Sequence, residues 1–130
     1  MAGTFRFELV TPERMVLSQD ATQVVVPGME GEFTVLPGHA PVISALRPGV
    51  VDATLGDART VLVFVKGGFA EVDADRLIVL AERAMDVEAL DAGGITAELE
   101  TAQAELAAAT TDAARLAASS AVEHLKALGR

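Results

Sequence analysis

The feature that most restricts the fold of this chain is a break in its composition near residue 86. All five prolines and all five phenylalanines precede the break, while residues 86–130 hold neither and contain fourteen alanines. Proline fixes φ and cannot donate to a sheet ladder, so it marks turns and strand edges; alanine is the strongest helix former. The chain therefore divides into a strand-and-turn part, residues 1–85, and a helical part, residues 86–130. At 130 residues the whole is one ordinary domain or a small domain with an appendage.

In the first part, Phe5, Phe7 and Leu9 alternate with Arg6 and Glu8, the two-residue period of a half-buried strand. Further short runs follow at Arg14–Ser18, Thr22–Val26, Phe33–Leu36, Val42–Leu46 and Val50–Leu55. Thr60–Val65, Phe69–Val72 and Arg76–Ala81 complete the series. Gln19-Asp20, Gly56-Asp57, Gly67-Gly68 and Asp73-Ala74-Asp75 supply the expected breaks. Many short strands with turns between them predict an antiparallel β-sandwich or flattened barrel.

In the second part, Ile95, Leu99, Ala102 and Leu106 recur at the spacing of one helix face. Ala118, Ala121, Val122, Leu125 and Leu128 form a second stripe. Thr111 or Asp112 is the expected N-cap between them, and Gly93-Gly94 is expected to break any helix begun at Asp86–Leu90. Two helices joined by a short link predict an antiparallel hairpin. Alanine-rich faces bury little area each, so the hairpin is expected to adhere modestly to the sandwich. Glu98, Glu100 and Glu105 read as a solvated acidic face, opposed within this part only by Arg115, Lys126 and Arg130.

Composition excludes several functions. A formal charge of −9 opposes nucleic-acid binding. The absence of cysteine removes disulfides, thiolate catalysis and Cys-rich zinc sites. No His-Glu-x-x-His motif, nucleophile elbow or Walker loop is present, so no metal and no cofactor is expected. The N-terminus shows no secretory signal, and no apolar run is long enough for direct membrane insertion.

The densest chemistry lies in Val26-Pro27-Gly28-Met29-Glu30-Gly31-Glu32-Phe33-Thr34-Val35-Leu36-Pro37-Gly38-His39-Ala40-Pro41-Val42. Glycine and proline alternate there with short apolar pieces, giving a rigid, irregular rim that carries Glu30, Glu32 and His39. Two readings of those three side chains are open: an acid–base set of an enzyme, or charges on a surface that a partner protein reads. Solvated loop carboxylates and a polar interface histidine favour the partner surface.

Pro27-Gly28-Met29-Glu30-Gly31-Glu32-Phe33-Thr34-Val35-Leu36-Pro37-Gly38-His39-Ala40-Pro41 closely resembles the signature of the epsilon subunit of bacterial F-type ATP synthases. Phe7–Arg14, Arg47-Pro48-Gly49-Val50-Val51, Gly67–Val72 and Val79–Ala84 are similar to the same family in order. The helical part matches in length and composition only. The resemblance implies a sandwich of about ten antiparallel strands followed by a two-helix hairpin. It also implies a non-catalytic rotor subunit of the central stalk, linking the gamma shaft to the c ring. Carried over by position, Glu30 and Glu32 lie on the loop that meets the c ring. His39, Ala40, Pro41, Val42 and Ser44 fall in the segment of gamma and c-ring contacts. The implied location is peripheral, on the cytoplasmic face of a bacterial inner membrane.

In that family the hairpin regulates ATP hydrolysis, and extended it reaches toward the catalytic beta subunit. Some members bind ATP through a motif at the start of the first helix. The aligned residues here are Val87-Glu88-Ala89-Leu90-Asp91-Ala92, and Asp91 stands where an arginine would meet the phosphates. ATP binding is therefore expected to be weak or absent; the alternative reading, a nucleotide-sensing regulator, turns on whether Asp91 is tolerated where an arginine is expected. With only Arg115, His124, Lys126 and Arg130 to offer an acidic partner loop, the hairpin is expected to inhibit weakly and to stay folded down.

Overall fold

The computed structural model describes residues 3–87 and 92–128. Seven strands come first: β1 (Phe5–Val10), β2 (Met15–Gly28), β3 (Gly31–Val35), β4 (Val42–Ala45), β5 (Gly49–Leu55), β6 (Thr60–Val72) and β7 (Arg76–Asp86). Two helices follow, α1 (Ala92–Ala108) and α2 (Asp112–Leu128). Strand β1 pairs with both β2 and β7, so the path β1-β7-β6-β5-β2 closes on itself into a barrel-like sandwich. Strand β3 extends from β2, and β4 pairs with the second half of β6. Every pairing is antiparallel except β1 with β7, which is parallel.

The sandwich and hairpin follow the sequence pattern, but two expected turns do not exist. Gln19-Asp20 lies inside β2, whose first half pairs with β1 and whose second half pairs with β3 and β5. The strand changes partners there without leaving extended backbone, and a register irregularity between Ala21 and Gln23 absorbs the change. Gly67-Gly68 likewise lies inside β6. The strand passes through the glycine pair in register with β7, then exchanges β5 for β4 on its other side. Merging these segments makes β2 and β6 long, at 14 and 13 residues, and leaves seven strands in place of a larger number of short ones.

The glycine pair has a further effect. Gly67 and Gly68 have φ of 73° and 103°, which L side chains rarely adopt. Before them the core-facing residues of β6 are Val63 and Val65; after them they are Ala70 and Val72. An extended strand keeps one parity on one face, so the pair rotates β6 and swaps its faces. Phe69, which would have pointed inward, points outward.

The main core is aliphatic apart from Phe5 and Phe7: Leu9, Val24, Val26, Val51, Leu55, Val65, Val72, Leu77 and Val79 are all buried. A second, smaller core lies outside the barrel. Val50, Phe64 and Met85 are cross-strand partners on β5, β6 and β7, and their outward row is covered by the hairpin. Phe64, Ala102, Ala121 and Leu125 are buried there. Thr111 caps α2 as expected, its hydroxyl accepting the Ala114 N–H at 3.0 Å. Gly93 and Gly94 fall in the first turn of α1.

Candidate interaction site

The Pro/Gly-rich rim is built from the β2–β3 hairpin and the loop into β4. Val24–Gly28 pairs with Gly31–Val35, leaving Met29 and Glu30 at the tip and Glu32 opposite Pro27. Main-chain hydrogen bonds tie the tip to neighbouring segments: Met29 N–H to the Ala45 carbonyl at 2.8 Å, and Arg47 N–H to the Pro27 carbonyl at 3.1 Å. The Pro37-Gly38 turn is closed by His39 N–H to the Leu36 carbonyl at 3.1 Å. The Gly38 N–H reaches the Ala74 carbonyl at 3.0 Å. A loop whose amides are satisfied this way holds its shape without a partner.

Five of the seven sequence-predicted residues meet here. Glu30, Glu32, His39, Val42 and Ser44 line one open groove of about 330 Å³ together with Phe33. The Phe33 and His39 rings lie 6.4 Å apart, and His39 Nδ1 donates to the Ala40 carbonyl at 2.7 Å. Ala40 and Pro41 are exposed beside the groove and do not line it. Both carboxylates are exposed to solvent, where charge costs little and acts mainly through complementarity with an approaching surface. The arrangement suits recognition of cationic or hydrogen-bond-donating groups. It lacks the enclosed, desolvated setting that acid–base chemistry on a bound substrate uses. Among the described residues no group of three or more His, Cys, Asp or Glu side chains is placed to hold a metal.

A second surface escaped the sequence reading. Ala45, Phe69, Leu80 and Val10 are successive cross-strand partners on β4, β6, β7 and β1, and they form an outward row. Phe69 is 44% exposed, and Ile43, two residues from Ala45 on the same strand, is 70% exposed. Aromatic and aliphatic groups gathered on one outer face mark an interaction surface. The signal in the sequence is the Gly67-Gly68 pair, which turns Phe69 outward.

The helical carboxylates also differ from expectation. Glu98 does not face solvent: its carboxylate lies 3.9 Å from Lys66 Nζ and 3.3 Å from an Arg83 guanidinium nitrogen. Glu105 reaches Lys66 at 3.4 Å. Their cations come from the sandwich, which counting charges within the helices alone could not reveal. The motif positions Glu88 and Asp91 lie outside the described residues.

Among the described residues no helix is long and apolar enough to cross a membrane. Residues 4–87 match the family described as ATP synthase, Delta/Epsilon chain, beta-sandwich domain. The chain is 44% identical over 121 residues to the ATP synthase epsilon chain of Rhodospirillum rubrum, covering 93% of this chain and 90% of that one. It is 41% identical over 128 residues to the epsilon chain of Parvibaculum lavamentivorans, covering 98% and 97%. The fold is similar to that of a chain in the Euglena gracilis mitochondrial ATP synthase, with a TM-score of 0.76 at 22% identity, covering 98% and 81%. It is also similar to a chain in a Tetrahymena thermophila mitochondrial ATP synthase structure described as central stalk and c-ring. There the TM-score is 0.67 at 16% identity, covering 97% and 96%. By the match across its strands and the identity carried through its helices, the chain belongs to the ATP synthase epsilon chain family.

Proposed function

We propose that this chain is the non-catalytic epsilon subunit of an F-type rotor, seated in the central stalk between a gamma shaft and a ring of c subunits. The observation that carries this reading is a stiff acidic rim standing beside an exposed apolar face on one small barrel. Glu30 and Glu32 meet polar loops of the ring, and His39, Ala40, Pro41, Val42 and Ser44 continue the contact toward gamma. The outward row of Phe69, Leu80 and Val10, with Ile43 at its margin, supplies the apolar area that a lasting contact with the shaft requires.

In this reading the subunit works by shape and stiffness. Torque passes through a body only as well as the body resists deformation, and a closed barrel with a tethered rim resists it. The protein sits peripherally on the cytoplasmic face of a bacterial inner membrane, without inserting into the bilayer. Residues 1–85 form the coupling unit, and residues 86–130 form a hairpin that inhibits hydrolysis weakly and reaches the beta subunit only when extended. Affinity purification of the tagged chain from solubilised membranes tests the assignment. Gamma and c subunits should co-purify with the parent chain and less with Glu32→Ala or His39→Ala, both of which should retain the parent melting temperature. Undiminished recovery with both variants would remove the rim from the contact.

A further inference from the structure

Lys66 and Arg83 are direct cross-strand partners on β6 and β7, one step along from the Phe64 and Met85 pair that the hairpin covers. Two cations facing one another across an antiparallel ladder repel. Among the described residues, the ion pairs that reach these two cations come from α1. Glu98 of α1 sits over the pair, 3.9 Å from Lys66 and 3.3 Å from Arg83, and Glu105, two turns further along the same helix face, reaches Lys66 at 3.4 Å. The Lys66 and Glu98 side chains are only 16% and 17% exposed, and Glu98 Oε1 is buried with no hydrogen bond.

We propose that Glu98 is a charged pin that keys the two-helix hairpin to the sandwich, so that docking is decided by Lys66 and Arg83 together neutralising the half-buried Glu98 carboxylate and by Glu98 neutralising the Lys66–Arg83 pair. The apolar seat alone is poor in specificity. Two of the three buried hairpin residues on it are alanines, which offer little area and many equivalent registers. A half-buried carboxylate with one correct address sets the register of α1, while Ser120 and Leu125 fix α2. Both helices therefore leave or dock together. Exposed ion pairs contribute little, but a carboxylate left buried without its cation strongly opposes the state that buries it. Whatever lifts the hairpin must therefore offer the Glu98 carboxylate a replacement cation or the Lys66–Arg83 pair a replacement anion.

The chain has no cysteine, so spin labels can be placed at Ser119→Cys on α2 and Asp75→Cys at the β6–β7 turn, and their separation read by pulsed electron resonance on the isolated full chain. The labelled parent should give a single separation. Adding Lys66→Met and Arg83→Met together, which keeps apolar stems and removes both cations that reach Glu98, should raise the undocked fraction at least roughly tenfold. Adding Glu98→Gln to that double variant should bring most of the population back, because the half-buried group then carries no charge. An unchanged distribution in the double variant would overturn the proposal. So would failure of Glu98→Gln to reverse an opening, which would mean that lost packing and not charge released the hairpin. Because the isolated chain is used, either result is separate from whether the acidic rim docks on a c ring.

Discussion

The Ser120 hydroxyl on α2 donates to the main-chain carbonyl of Pro48 at 2.6 Å, and both groups are buried. The bond joins the second helix to the turn that leads into β5. Beside it, His124 Nδ1 donates to the Ser120 carbonyl at 2.8 Å, which holds the imidazole against Gly49. A Cβ on Gly49 would lie 2.8 Å from Pro27 Cβ and 3.3 Å from His124 Nε2, so the helix rests directly on backbone. Ser120→Ala leaves the Pro48 carbonyl unpaired in a closed contact and should weaken docking by about 1–2 kcal/mol. Amide exchange in α2 should accelerate accordingly, while exchange in β1, β2 and β5 stays at parent rates.

How much of this was legible beforehand depends on the range of the interaction. Strand alternation at Phe5, Phe7 and Leu9, the Thr111 cap and the stripe Ala118, Ala121, Leu125 are local patterns, and each appears as read. Partner exchange along one strand is not local. Gln19-Asp20 and Gly67-Gly68 carry turn-forming residues, yet both lie in continuous strands because different neighbours hold the two halves. The rim was visible because glycine and proline advertise fixed backbone. The apolar row through Phe69 was hidden, since its outward direction follows from two positive φ angles. The cations opposite Glu98 were hidden because they lie on strands distant in the chain.

Gly68 should tolerate no side chain. Its φ is +103°, and a Cβ there would collide with the carbonyl oxygen of Leu80 in the paired strand. Backbone cannot yield as a flexible side chain can. Gly68→Ala should therefore destabilise the sandwich by about 3 kcal/mol or more, combining strain with a clash in the ladder. Gly31 is the control: its φ is +137°, but a Cβ would meet nothing within 4 Å. Gly31→Ala should cost only the conformational part, about 1–2 kcal/mol. Chemical denaturation of both variants measures the difference, and equal losses would refute the steric account.

The β5–β6 turn stores removable strain. Ala58 has φ of 70°, the left-handed region that costs a residue with a Cβ about 1 kcal/mol. Ala58→Gly should raise stability by several tenths of a kcal/mol, less than the full relief because glycine adds freedom to the unfolded chain. The same turn holds Asp57, whose carboxylate accepts the Arg59 N–H at 3.1 Å and the Arg59 Nε–H at 2.7 Å. The Arg59 backbone N–H first, and then its guanidinium, hold the Asp57 carboxyl below its ordinary range. A depressed folded-state value means that the contribution is present above the unfolded value and disappears as pH falls through the folded one. The melting temperature of the parent should therefore drop slightly more than that of Asp57→Asn across that acidic window. The group is fully exposed, so the difference should be small.

Aligned by the sequence resemblance, Asp91 stands where an arginine would meet a nucleotide's phosphates, while Glu88 keeps the motif's acidic position. Calorimetric titration of the chain with MgATP should show no micromolar binding, and heat fitting such an affinity would contradict the charge argument. A hairpin that stays down has no inhibition to release. Removal of residues 87–130 should then leave ATP hydrolysis by the reconstituted complex nearly unchanged, and a several-fold rise would place the hairpin in the inhibitory role.

Phe69 and Phe64 share one strand and distinguish assembly from folding. Phe64 is fully buried under the hairpin, whereas Phe69 is 44% exposed on the outer row with Leu80 and Val10. Phe64→Ala opens a cavity in the small core and should cost about 3–4 kcal/mol of hairpin docking. Phe69→Asp removes no buried contact of comparable size, so the isolated chain should melt within a degree or two of the parent. On a shaft-facing apolar surface, however, a charge must be desolvated without a partner. Phe69→Asp should therefore lower recovery of gamma at least roughly tenfold in the purification described above. The proposed docking of Glu32 on a c ring should survive in this variant when it is measured independently of gamma. Loss of both partners together would mean that Phe69 supports the shape of the barrel, and loss of neither would place the shaft on another face.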